Sequence, residues 1–346
     1  MKELATGCWP QTRSDGKPFD DTDAWRKKAL GSAMPLPRGA LLEIKGDWSA
    51  LKSVFRFPGW RDKTGCCYRC DMTPDRIREV ASNSDWRQPS HRLCHADLLV
   101  RMVADGKSIS PAFNIPFVTT ETFQMDWLHT TDLGISLEFL GGILAWACDY
   151  LEGNQAQKCS ALHLRMKAYY KRACKTSCLL ELKPTMIWKQ PGAYARLRAK
   201  AGEARDLIDF AVEVTNELFD HTQPAAATAA AAALQLQVCY QQLSKEAFHR
   251  ELLEQAALRF ALLYVALGDY SAAHGWKTFP AKPKLHAFLE LVQTSTPPSA
   301  FWTYTEESWG GRIALLGERR GGGSTAKAVG LSVFDRFAAQ HDVPEL

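Results

Sequence analysis

Apolar and polar positions divide the chain into an irregular start, a loop-rich middle with a few extended runs, and a long helical remainder. Residues 1–38 are polar, rich in Pro, Gly and Asp, and show no period, which predicts an irregular arm. "GALLEIKGD", residues 39–47, is a short apolar run closed by Gly-Asp, the pattern of a buried strand whose C-terminal end is Asp47. Residues 59–114 read as loop-rich, with short helices near 74–81 and 94–105. "IPFVTTETFQMDWLH" predicts one or two further extended segments, and Thr131 or Asp132 is placed to cap the helix that follows. From 133 to about 270 the spacing is mostly helical, as in "LLEQAALRFALLYVAL". The Ala-rich run "PAAATAAAAALQLQ" (224–237) suits a helix by propensity and a slack linker by low complexity. "FPAKPKLHAFLELV" opens a helix behind two prolines, and Thr305 caps a helix over 306–320 that ends at glycines. Few strands and many helices define an α+β class that is predominantly helical.

Composition adds three constraints. The start, "MKELATGCWPQTRSDG", has no apolar core of a secretory signal. The longest apolar stretch, "LGISLEFLGGILAWACDYL", is interrupted by Glu138 and Asp149 and reads as a buried helix, so no membrane association is expected. Ten scattered cysteines in 346 residues are too sparse for a disulfide framework. A reducing compartment, cytoplasm or nucleus, is expected.

The charge is unevenly spread. Between Lys158 and Arg205 stand twelve Lys or Arg and two acids, Glu181 and Glu203, with Tyr169, Tyr170, Trp188 and Tyr194 among them. A basic stripe with aromatics is the footprint of a polyanion partner, and equally the look of a solvated helix face. Arg165, Lys167, Lys171, Arg172, Arg196, Arg198 and Lys200 are its candidate DNA contacts.

Four pieces carry candidate chemistry: Asp47 at a strand end, Cys67-x-x-Cys70, Asp126-x-x-His129, and His286 followed by Glu307. Each has an ordinary reading. A strand-end Asp caps turns. Two thiolates alone do not make a tetrahedral zinc site. Asp126 and His129 suit a local hydrogen-bonded pair, and Glu306 and Glu307 suit a first helical turn.

Taken in order, the pieces resemble the catalytic core of DDE transposases of the CACTA and plavaka sort, which have a ribonuclease H-like fold. The matching segments are "GDWSALKSVFRFPGWRDKTGCCYRC", "DWLHTTDLGISLEFLG", "KPKLH" and "FWTYTEESWGG", the last setting Trp302, Tyr304 and Glu307 on the family's Trp, Tyr and Glu. The resemblance spans about residues 39–325. It implies a partial ribonuclease H-like core over 39–132, a helical insertion over 133–280, helices returning to the core over 281–325 and a tail over 326–346.

The resemblance further implies two-metal DNA cleavage and strand transfer, with carboxylates holding Mg²⁺ or Mn²⁺. Asp47 would be the second acid and Glu307 the third, with Asp126 and His129 beside the metals. DNA is the implied partner, no small-molecule cofactor is expected, and self-association is left open. In related recombinases a CxxC after the second acid pairs with histidines before the last, which matches Cys67 and Cys70 to His286. The usual second histidine is Glu290 here. A competing local zinc knuckle would join Cys67 and Cys70 to His95 and to His91 or Cys94.

The first acid of the family has no clear counterpart. Asp15, in "RSDGKPFDD", is the only upstream Asp-Gly and follows no strand. The expectation is therefore a truncated or degenerate copy, inactive alone. The alternatives are a non-catalytic zinc-stabilised DNA-binding or scaffold protein, and a helical interaction protein whose acids never meet.

Overall fold

The computed structural model describes residues 7–13, 16–33, 41, 43–300, 302–305, 307 and 308. Two compact units result, Met1–Phe301 and Trp302–Leu346. Asp15, the 326–346 tail and nearly all of the helix expected over 306–320 lie outside the described residues. Within the second unit, Glu307 N–H donates to the Thr303 carbonyl, and the Glu307 side chain is exposed.

In the first unit the arm contains a short helix, α1 (Ala24–Ala29). Strand β1 (Ile44–Gly46) follows, then α2 (Trp48–Phe55) and α3 (His95–Ala104). Strand β2 (Phe123–Met125) pairs parallel with β1, the single sheet among the described residues. The remainder is helical: α4 (Ser136–Asp149), α5 (Gln155–Arg172), α6 (Pro184–Ile187), α7 (Ala201–Asp206), α8 (Ile208–Leu218), α9 (Pro224–Gln241), α10 (Arg250–Ala273) and α11 (Pro283–Leu291). The expected helix at 74–81 is a single 3₁₀ turn, Pro74–Arg76.

The Ala-rich run is helix α9. Ala225, Ala226, Ala229, Ala232, Ala233 and Leu236 are buried, and the small side chains let α10 pack closely along it. Proline at its N1 position costs nothing, because that N–H has no intrahelical acceptor.

Neither Thr131 nor Asp132 caps α4. The chain turns helical directly after Asp126, through a π-helical segment, Leu128–Ile135, that runs unbroken into α4. Asp126 supplies the cap instead, accepting from Leu128 N–H at 3.1 Å and His129 N–H at 2.7 Å. A π segment leaves carbonyls off the usual ladder, and Lys284 Nζ donates to two of them, His129 O at 2.6 Å and Leu133 O at 3.5 Å. Leu128–Asp149 is long and apolar enough to cross a membrane, yet 94% of its apolar window is buried within the protein, as in a core helix.

Two glycines of α4 admit close neighbours, Gly141 the 196–197 backbone and Gly142 the Phe279 ring. A Cβ at Gly141 would stand 2.6 Å from the Arg196 and Leu197 nitrogens, and one at Gly142 would stand 2.6 Å from Phe279 Cζ. Leu197 N–H donates to Leu137 O at 2.9 Å, and Ala195 N–H to Lys277 O at 2.8 Å. These contacts fix where the arginines of 196–198 emerge.

Candidate functional site

The CxxC loop is held against β2. Tyr68 stacks on Phe57, whose ring meets Phe123 edge-on, and the Tyr68 hydroxyl donates to Phe123 O at 2.9 Å. Arg101 of α3 donates to the carbonyls of Cys67 and Cys70, the latter at 3.3 Å. Helix α11 passes the same loop, and its i,i+4 spacing sets His286 and Glu290 on one face.

The result is one buried group: Cys67, Cys70, His286 and Glu290, with a ligand atom from each within 4.8 Å of the others. Cys70 Sγ lies 3.3 Å from His286 Nε2, His286 Nε2 lies 3.5 Å from Glu290 Oε1, and Cys67 Sγ lies 3.8 Å from Glu290 Oε1. Bonds of about 2.0–2.3 Å to a tetrahedral ion put ligand atoms roughly 3.3–3.8 Å apart. The three separations fall in that window, so these residues fit a metal ion. The chemistry agrees: two thiols, an imidazole and a carboxylate are zinc's usual donors. Trp86 packs edge-on against the His286 ring, whose buried Nδ1 has no hydrogen-bond partner.

Protonation is split between the two thiols of the group. Burial pushes the Cys67 thiol up, but hydrogen bonding from Cys70 and the pull of His286 outweigh it and leave Cys67 well below the ordinary thiol range. Cys70 is pushed up, chiefly because it supplies the proton in that hydrogen bond. Burial also opposes ionisation of Glu290, yet the charges of His286, Arg92 and Arg69 hold its carboxyl below the usual range.

His95, expected as a metal ligand, is outside this group. It opens α3 and its ring packs on Phe113, 5.0 Å between centroids. The other members of the local knuckle are also engaged elsewhere: His91 Nδ1 meets Asp71 Oδ2 at 2.6 Å, and Cys94 caps α3.

The acids at the strand ends sit side by side in sequence register. Gly46 pairs with Met125, so Asp47 and Asp126 are the next residues on neighbouring parallel strands. Asp47 caps α2, accepting from Ala50 N–H at 2.5 Å. Asp126 is fully buried and also meets His129 Nδ1 at 2.5 Å. A cavity of about 390 Å³ opens there, lined by Asp47, Trp60, His129, Glu138, Arg196, Lys282 and Lys284 among others. Lys282 Nζ and Arg196 Nε both reach Glu138 Oε1, at 2.7 and 2.9 Å. Burial and the Arg196 charge pull the Lys284 ammonium below its ordinary range, against the attraction of Glu138, Asp47 and Asp126. Glu307 belongs to the second unit, apart from the unit that holds Asp47 and Asp126.

The basic stripe divides into two parts. On α5, Arg165 pairs with Glu217 at 3.3 Å and Arg172 pairs with Glu213, both acids on α8, while Lys167 and Lys171 are exposed. Arg196, Arg198 and Lys200, by contrast, line an open groove with His129, Glu203 and Lys284. This groove shares His129, Arg196 and Lys284 with the cavity beside Asp47. Sequence reasoning missed Glu138 and Lys282, for which "KPK" before a helix was the one available signal, and Arg92, for which there was none.

The site and fold define a helix-rich α+β protein with a buried Cys₂-His-Glu group and a basic groove. No family model, no curated protein and no solved structure matches the chain.

Proposed function

We propose that this chain is a transposase-derived DNA-binding protein whose core is pinned by zinc. The observation that carries it is the groove in which Arg196, Arg198, Lys200 and Lys284 outnumber the one acid, Glu203, and which shares His129, Arg196 and Lys284 with the cavity beside Asp47. Lys and Arg at such spacing bind phosphate backbone without regard to sequence. Zinc on Cys67, Cys70, His286 and Glu290 would tie the loop after β1 to α11, and so hold Lys282 and Lys284 at the cavity.

The parent chemistry would be two-metal cleavage and strand transfer, in which carboxylates such as Asp47 and Asp126 hold Mg²⁺ or Mn²⁺. The non-catalytic reading is favoured for this chain by the bonds that already engage the acids: Asp47 accepts from Ala50 N–H, and Asp126 accepts from Leu128 and His129 N–H and meets His129 Nδ1. DNA binding without cleavage is therefore expected.

Fluorescence anisotropy on a short duplex across a salt series tests this. Affinity should fall steeply with salt, and Arg198→Ala/Lys200→Ala should make the log–log slope shallower by about 2, near 0.9 for each phosphate no longer neutralised. Binding that ignores both salt and the double substitution would reject the groove as the DNA site. Plasmid cleavage with Mg²⁺ or Mn²⁺ would reject the non-catalytic reading alone.

A further inference from the structure

All four donors are of types that zinc takes, and the fourth, Glu290, brings a charge that must be compensated. Two thiolates, one carboxylate and Zn²⁺ sum to one net negative charge in a pocket where all four ligands are buried. A buried net charge without a partner is costly. Arg92 supplies the partner. Its Nη1 and Nη2 donate to Glu290 Oε1 at 2.6 Å and Oε2 at 3.0 Å, a two-pronged grip that fixes the plane of the carboxylate. The gripped Oε1 is the oxygen that faces His286 Nε2 and Cys67 Sγ.

Arg92 is itself anchored to the metal loop. It forms an antiparallel bridge with Cys70. Leu93 N–H donates to Arg69 O at 3.0 Å, and Asp71 N–H donates to His91 O at 3.1 Å. The backbone that carries two ligands thus also carries the guanidinium that aims another.

We propose that Glu290 is the fourth zinc ligand and that Arg92 is its positioning residue, the pair together standing in for a neutral ligand. This rests on the zinc reading above. It predicts a specific interdependence: Arg92 is needed because the fourth ligand is a carboxylate, and a histidine at 290 would make Arg92 an unpaired cation.

Zinc affinity, measured by competition with a chromophoric chelator on the full chain, tests this together with the absorption of the Co²⁺-loaded protein. Arg92→Leu should weaken zinc about 10–100-fold, the usual cost of losing a group that orients a ligand. Arg92→Lys should recover part, keeping charge without the two-pronged grip. Glu290→His in the Arg92→Leu background should restore affinity to within a few-fold, and should bind more tightly than Glu290→His alone. The Co²⁺ protein should show thiolate charge-transfer and tetrahedral d–d bands, with the d–d bands altered by Glu290→Gln. Circular dichroism selects the folded variants, and Glu290→Gln, similar in shape, carries the test if Arg92→Leu misfolds. Unchanged zinc affinity in Arg92→Leu, or unchanged affinity and bands in Glu290→Gln, would overturn the pairing while leaving a metal site standing. Failure of the unsubstituted chain to take up Zn²⁺ or Co²⁺ would overturn both.

Discussion

Stripping zinc from the Cys67–Cys70–His286–Glu290 group with a chelator is expected to lower the thermal midpoint by roughly 5–8 °C. The size follows from linkage: a ligand that binds only the folded chain, at about a thousand to ten thousand times its Kd, stabilises by roughly 4–5.5 kcal/mol. Unfolding entropy of about 2.1 cal/mol/K per residue means that about 1 kcal/mol moves the midpoint of this 346-residue chain by roughly 1.4 °C. The direction follows from geometry, because the donors come from a loop after β1 and from α11, and the ion closes the long loop between them. Cys67→Ser should reproduce the loss without a chelator. Cys66→Ala is the control: Cys66 is buried, its thiol is pushed up to about 12 chiefly by that burial, and it is not in the group. That variant should keep its metal and lose only packing. Calorimetry with and without chelator measures the effect, and equal midpoints would mean that the four donors do not form a structural centre.

Gly141→Ala is expected to cost about 3 kcal/mol or more and to weaken the DNA binding proposed for the groove. The added Cβ would overlap Arg196 Cα and stand 2.6 Å from both Arg196 N and Leu197 N. These are backbone atoms, which cannot swing away as a side-chain end can. Relief requires the 195–198 segment to lift from α4, breaking the bond from Leu197 N–H to Leu137 O. Overpacking typically costs about 1–3 kcal/mol, and an abandoned buried hydrogen bond adds about 1–3. Lifting the segment also moves Arg196 and Arg198, so DNA affinity should fall with stability. Gly46→Ala separates this effect from glycine replacement in general. A Cβ at Gly46 meets only the Ala50 Cβ at 3.6 Å, an ordinary contact. Urea unfolding should show a large drop in midpoint for Gly141→Ala and a small one for Gly46→Ala, and equal small changes would contradict the close approach.

Local signals in the chain were legible where chemistry or propensity acts over a few residues. The end of β1 at Asp47, the helix near 94–105 and the helical reading of the alanine run all follow from short patterns, and each is present. The approach of Cys67 and Cys70 to His286 was legible only through the resemblance, and Glu290 only as a departure from it. Non-local features were not legible. The parallel register that aligns Asp47 with Asp126 depends on pairing across a long intervening loop, and no periodicity encodes it. The π segment was hidden because Lys284, far along the chain, satisfies its carbonyls. Counting charge between Lys158 and Arg205 overstated the free basic surface, because Glu213 and Glu217 lie outside that window yet pair with Arg165 and Arg172. Arg92 looked like any arginine in a polar loop, and only its two bonds to Glu290 distinguish it.

The metal content of the chain, purified without added zinc and measured by elemental mass spectrometry, tests the zinc-pinned core most directly. One zinc per chain is predicted, falling to near zero in Cys67→Ser and in His286→Ala while Cys66→Ala retains it. A folded, metal-free chain, or zinc that survives both substitutions, would contradict it.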